Sequence, residues 1–331
     1  MASQWWCSFL EGELDDLQKR ILDLKKKRNA FIIAHNYQLL EIQKIADFVG
    51  DSLQLAVKSA EAKGYDLVVF CGVKFMAEMA AVLSPDIPVY IPAPEALCPL
   101  ASFVSPDKVQ AMKQEHPGAP VVVYVNTTAE TKSSCDIVCT SSTAAEIVES
   151  LGVDKVLFGP DKNLAEYVRR QTSIEIVDIE PKGHCYVHRM FDVAQIALLK
   201  EDYPDAIVLA HPECHPEVQD VADYVISTGK MAKIVEKSPS KTFIIATEVG
   251  LVEQLQHKHP DKIILPAYDG AICIQMKKNS LEKVAEVLED LPERNLVTVP
   301  AHMVGHIREA IERMYQALGR PSIAGATNLQ S

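Results

Sequence analysis

The sequence states one plan three times, and this internal repetition limits the possible folds more than any other property of the chain. Segments opening with FIIAHNYQ at Phe31, VVVYVNTT at Val121 and AIVLAHPE at Ala206 each carry a short apolar run to a polar residue: His35, Asn126 and His211. An aspartate follows (Asp47, Asp136, Asp223), and then a hydroxyl (Ser52, Ser141, Thr228). Counted from the polar residue, the aspartates lie 12, 10 and 12 residues on, and the hydroxyls 17, 15 and 17. Each segment continues through a second apolar run (LVVFCG, KVLFGP, TFIIAT) and a third (PVYIPA, IEIVDI, IILPA) to a cysteine. Those cysteines, Cys98, Cys185 and Cys273, are 87 and 88 residues apart.

Short continuous apolar runs bounded by Gly or Pro and alternating with helical stretches predict parallel strands buried on both faces. The expected fold class is therefore α/β, an internal triplication of three similar three-layer lobes with short parallel sheets related by pseudo-threefold symmetry. The boundaries read as an N-terminal helix over 1–30, lobes over 31–105, 106–193 and 194–300, and a C-terminal helix and tail over 301–331. Leu14, Leu17, Ile21 and Leu24 recur at helical spacing between charged residues, which marks the amphipathic first helix. Ala301 to Leu318 reads as the closing helix that packs across the lobes.

Right-handed crossovers put the ends of parallel strands on one sheet edge, where open α/β sheets bind ligands. Three such edges turned inward would bring Cys98, Cys185 and Cys273 to one point. Cys71, Cys139 and Cys214 occupy non-equivalent places and have no symmetry to unite them; Cys135 and Cys139 form a lone CxxxC pair, and Cys7 lies near the start. These five read as structural or incidental. Eight cysteines in 331 residues are too sparse for a disulfide scaffold. Acidic residues outnumber basic ones by 45 to 33, for a net charge of -12, and no Lys/Arg run marks a nucleic-acid footprint. Neither a stretch of about 20 apolar residues nor a basic leader is present, so the reading is cytoplasmic, without membrane or nucleic-acid partners.

Three far-separated cysteines leave one metal position open, whereas structural zinc sites are four-coordinate with ligands close in sequence. A [4Fe-4S] cluster takes four ligands, so three thiolates leave one iron to water or substrate, where it acts as a Lewis acid. Ser52, Ser141 and Thr228 precede or open helical stretches, where free N–H groups and the dipole favour anions. His35, Tyr37, Tyr124, Asn126, His188, His211 and Glu213 fall beside strand ends or cysteines and can supply proton donors, acceptors and carboxylate binders.

The stretches AHNYQ, ADFVGDSL, VVFCGVKFMAE, YVNTTAE, TSS, HCYVH, AHPEC and MKKNSLEKV, in that order over about Phe31 to Glu289, resemble the quinolinate synthase family. The resemblance implies a [4Fe-4S] enzyme of NAD biosynthesis that condenses iminoaspartate with dihydroxyacetone phosphate, releasing phosphate and water. Carried over by motif, Cys98, Cys185 and Cys273 are similar to the cluster ligands, and Ser52, Ser141 and Thr228 to phosphate and carboxylate contacts. Tyr37 and Glu213 resemble proton-transfer residues; His35, His188 and His211 resemble orienting and acid-base partners; Tyr124 and Asn126 resemble carboxylate binders. The loop Ile226-Ser227-Thr228-Gly229-Lys230 departs from the family's more usual Gly-Ser-Thr-Ser-Gly. Expected partners are an L-aspartate oxidase or dehydrogenase supplying the unstable imine, and the iron-sulfur assembly machinery. Two other readings stand beside this one. One is a three-cysteine iron-sulfur reductase or radical enzyme, which would need electrons. The other is a colourless zinc-stabilised module that binds an anionic metabolite.

Overall fold

The computed structural model describes residues 14–320 and 322. Cys7 and the rest of the opening stretch lie outside them. Among the described residues, twelve strands form three four-stranded, wholly parallel sheets, each flanked by helices. The first contains β1 (Ala30–His35), β2 (Phe48–Gly50), β3 (Leu67–Cys71) and β4 (Val89–Tyr90); the second, β5 (Val121–Tyr124), β6 (Ile137–Cys139), β7 (Lys155–Gly159) and β8 (Glu175–Asp178). The third contains β9 (Ile207–Ala210), β10 (Tyr224–Val225), β11 (Thr242–Ala246) and β12 (Ile263–Pro266). Strand order is the same each time: β2-β1-β3-β4, β6-β5-β7-β8 and β10-β9-β11-β12.

The apolar pattern predicts three strands per unit, and the structure has four. The extra strands β2, β6 and β10 span two or three residues, too few for period-two or continuous apolar signals to emerge. The repeated aspartates explain why strands so short still pair. Asp47 Oδ2 accepts the Ile32 N–H, Asp136 Oδ2 the Val121 N–H and Asp223 Oδ2 the Val208 N–H, at 2.9, 2.8 and 2.7 Å, each pair 15 residues apart. Each aspartate N–H returns a bond to the carbonyl of the same strand residue. These struts also correct the alignment of the second unit. The equivalent of His35 and His211 is Tyr124, not Asn126, and Asn126 corresponds to Tyr37 and Glu213. With that shift the steps to aspartate and hydroxyl become 12 and 17 residues in all three units.

Helices fill the remaining places in the same cycle. After each first strand comes a short helix: α2 (Leu40–Ile45), α6 (Ala129–Lys132) or α10 (Pro216–Asp220). Next come α3 (Ser52–Ala60), α7 (Ala144–Ser150) or α11 (Thr228–Lys237), and then α4 (Lys74–Leu83), α8 (Lys162–Arg169) or α12 (Val249–Lys258). A 3-10 turn follows each cysteine, and then α5 (Pro106–Glu115), α9 (Val193–Asp202) or α13 (Leu281–Asp290). These last helices cross to the next unit: α5 lies against α6, α9 adds Ile196 to the core beneath the third sheet, and α13 packs beside α1 (Asp16–Lys27) under the first. Finally α14 (Ala301–Ala317) covers α4, α6, α7 and β6, so its apolar face serves the first two units together. No helix among the described residues is long and apolar enough to cross a membrane.

Candidate active site

The loops that follow the strands of all three units open onto one cleft with about 780 Å³ of free space, and all thirteen residues singled out from sequence line it. How each gets there follows from the repeat. The first residue of α4, α8 and α12 donates its N–H to the carbonyl two residues before a cysteine: Lys74 to Ala96, Lys162 to Gly183 and Val249 to Ala271, at 2.9, 3.0 and 3.1 Å. Cys98, Cys185 and Cys273 are thereby hung at equivalent points. Each then receives at sulfur the N–H of the residue three positions on, from Ala101, His188 and Met276. Burial pushes the free thiols up, Cys98 to about 12. Loading a metal must therefore displace protons.

Two of the three cysteine loops have an extra anchor. Asp161 Oδ2 accepts the Cys185 N–H and Glu248 Oε1 the Cys273 N–H, both at 3.0 Å, while the first unit has Val73 at this place. As placed, the three thiolates do not close on a single ion. A single zinc at about 2.3 Å from three sulfurs would keep every pair within about 4.6 Å. The three cysteine sulfurs do not fall together within 4.8 Å; among the described residues the trio that does is Cys185, His188 and Glu213. Two members of that trio already serve other partners.

Those partners stand in one row of close polar contacts. Tyr37 Oη lies 2.6 Å from Thr247 Oγ1, Thr247 Oγ1 2.9 Å from His188 Nε2, His188 Nδ1 2.9 Å from Glu213 Oε2, and the Tyr124 hydroxyl donates to Glu213 Oε1 at 2.7 Å. Burial alone would raise the Glu213 carboxyl. His188 and His211 beside it, with the bond from Tyr124, hold it well below the usual carboxylate range. Burial and that carboxylate push the Tyr37 and Tyr124 hydroxyls up, so both stay neutral donors. His188 Nδ1 faces the Glu213 carboxylate as a close polar approach rather than an aligned hydrogen bond, while Nε2 meets the Thr247 hydroxyl.

His35 and His211 are twins in the repeat. The Tyr37 N–H reaches His35 Nδ1 at 3.1 Å and the Glu213 N–H reaches His211 Nδ1 at 3.3 Å, so the proton sits on Nε2 in each. Burial lowers both to about 3, helped by Lys277 at His35 and by His188 at His211. They are neutral imidazoles. Asn126 has Oδ1 buried without a partner and faces the cleft.

The three hydroxyls are not the caps of their helices. Asp51 caps α3 in a capping box with Gln54, Ser227 holds the N-cap position of α11, and Thr143 that of α7. Ser52, Thr228 and Ser141 are left to face the cleft, with Thr228 Oγ1 taking one bond from Asn36 at 3.2 Å. Gly229 permits the starts of α3 and α11 to meet, since a Cβ there would stand 2.7 Å from Asp51 Oδ2.

The sequence reading passed over Thr247, Asp161, Glu248 and Lys277. Cys71, Cys139 and Cys214 lie fully buried and away from the cleft lining. The chain matches the family described as Quinolinate synthetase A protein over residues 19–316. A quinolinate synthase of Methanothermobacter thermautotrophicus is 49% identical over 301 residues, covering 91% of this chain and 98% of its own length. Those of Methanocaldococcus jannaschii and Thermotoga maritima are 46% and 44% identical, each over 90% of this chain and 98% and 99% of their own.

Proposed function

The chain belongs to the quinolinate synthase family, and from that premise we propose that it joins iminoaspartate to dihydroxyacetone phosphate. Phosphate and water leave, and pyridine-2,3-dicarboxylate is the product, feeding NAD biosynthesis in the cytoplasm. One observation carries the reading: three cysteines in identical places share a cleft with a Tyr37–Thr247–His188–Glu213–Tyr124 row. Cys98, Cys185 and Cys273 would hold a [4Fe-4S] cluster, whose iron without a protein ligand supplies Lewis-acid polarisation when bound.

The remaining chemistry belongs to the side chains. Ser52 and Thr228, with the free N–H groups starting α3 and α11, hold the phosphate, and Ser141 adds a hydroxyl from the second unit. Asn126 donates to a carboxylate of the imino acid, and Tyr124 joins it when its hydroxyl turns from Glu213 to the substrate. His35 and His211 present Nε2–H donors that orient a carbonyl or hydroxyl without adding charge. Glu213 takes the proton from the carbon that forms the new bond, and Tyr37 exchanges protons with His188 through Thr247. Because the imine hydrolyses in water, an L-aspartate oxidase or dehydrogenase must supply it, and the cluster comes from the iron-sulfur assembly machinery.

Anaerobic purification with iron, sulfide and zinc analysis and a visible spectrum tests the reading. Cys185→Ser is expected to lose cluster absorbance and activity while keeping its far-ultraviolet circular dichroism. A brown, active Cys185→Ser protein overturns the proposal, and a colourless wild type holding stoichiometric zinc favours the binding-module reading. Turnover that requires an added reductant points to the reductase class.

A further inference from the structure

One partly buried cation ties the first unit to the third behind the cleft. Lys277, in the 3-10 turn after Cys273, donates from Nζ to the Tyr37 carbonyl oxygen at 2.6 Å and lies 3.0 Å from Glu248 Oε1. Glu248, whose side chain is fully enclosed, also accepts the Cys273 N–H at 3.0 Å and the Gly250 N–H at 2.7 Å. A path of polar contacts thus runs from the amide of a cysteine in one unit to the backbone of Tyr37 in another. Gly250 clears the crossing. A Cβ there would stand 2.8 Å from Glu248 Oε2 and 2.9 Å from both Lys277 Nζ and the Tyr37 carbonyl carbon.

The repeat supplies an internal control. A device needed only for folding should recur in all three units, as the aspartate struts do. Arg189, four residues after Cys185 as Lys277 is after Cys273, is exposed and reaches His184 instead. Asp161, the counterpart of Glu248, takes three backbone N–H groups. In the first unit the two places hold Ser102 and Val73. The clamp therefore exists once, at the seam behind Tyr37. Enclosing an ion pair costs desolvation that an apolar contact would not, so its value lies in fixing geometry rather than in net stability.

We propose that Lys277 is a positioning residue: with Glu248 it fastens the Tyr37 loop to the Cys273 loop and so aligns the Tyr37 hydroxyl with Thr247. The catalytic half of this statement rests on the proton-transfer role given to Tyr37 above; the mechanical half does not. Hydrogen exchange on the metal-free, full-length chain tests the mechanical half. In Lys277→Met, amides of residues 36–39 and 272–275 should exchange about tenfold faster or more, with β5 and β7 unchanged and Lys277→Arg restoring protection. In the loaded enzyme kcat should fall about tenfold or more with the KM of both reactants near wild type, and iron content should hold. Unchanged exchange at Tyr37 overturns the clamp. So does a rise in KM at constant kcat. If exchange responds as expected but the wild-type protein makes no quinolinate, the clamp stands and the functional reading falls. Should Lys277→Met not fold, Lys277→Gln, which keeps a neutral donor, is measured in the same way.

Discussion

At the scale of single residues, the site is built from groups held in one protonation state by burial. His35 and His211 are the clearest, each lowered from 6.5 to about 3 chiefly by desolvation. The sign follows from proton counting. Below pH 6.5 the unfolded chain binds a proton at each histidine while the folded chain does not, so unfolding takes up protons and stability falls as pH drops. It is lost progressively from about 6.5 down to about 3, at up to about 1.4 kcal/mol per pH unit for each histidine. For the metal-free protein, denaturant unfolding at pH 6 and pH 5 should show this slope, and His35→Asn should reduce it by about one proton's worth. Equal slopes in wild type and variant would mean that His35 is charged in the folded chain. The same scale explains what sequence reading could not find. Thr247 follows β11 where the other units have Gly72 and Pro160, so neither repetition nor residue type marked it, although it joins Tyr37 to His188. Histidines, tyrosines and cysteines were legible because their chemistry is rare; a threonine after an apolar run is ordinary.

At the scale of elements, the loops bearing Tyr37, Asn126 and Glu213 are held from beneath by matched side chains of the short helices. Gln43 donates to the Gln38 carbonyl at 2.9 Å, and Gln219 to the carbonyls of Pro212 and Cys214 at 2.9 and 2.8 Å. Lys132 fills the same position in the second unit, 1% exposed, and donates to the Thr127 carbonyl. Burial lowers its ammonium to about 8, with Glu78 opposing the shift, and the Phe75 ring stands 5.1 Å away. This is a strap rather than a catalytic lysine. Lys132→Gln should therefore stay within about 1 kcal/mol of wild type, whereas Lys132→Met, which strands a buried carbonyl, should cost about 1–3 kcal/mol. Thermal unfolding of the metal-free variants checks both. If glutamine proves as damaging as methionine, the equivalence drawn from the repeat is wrong. The repeated aspartates were visible in sequence as a pattern, but the straps were not, because Gln, Lys and Gln share length and donor rather than identity.

At the scale of the whole molecule, triplication was readable because every unit must bury a sheet on both faces and end on the same edge, which forces like residues to like places. The closure between units was less so, since a crossing helix is amphipathic whichever sheet it covers. Ile311 of α14 shows the consequence: it is fully buried in a core that joins β1, α3 and α4 of the first unit to β5 through β7 of the second, while the third sheet has separate cores on its two faces. Truncating it should therefore weaken two units and spare one. Ile311→Ala removes buried methylenes and leaves a cavity, at a cost of about 2–5 kcal/mol. Hydrogen exchange should register that loss in β3, β5 and β7 together, with protection in β9 and β11 reduced far less. A uniform loss across all twelve strands would mean that the three units open only as one body. A loss confined to the second unit would mean that α14 does not couple it to the first.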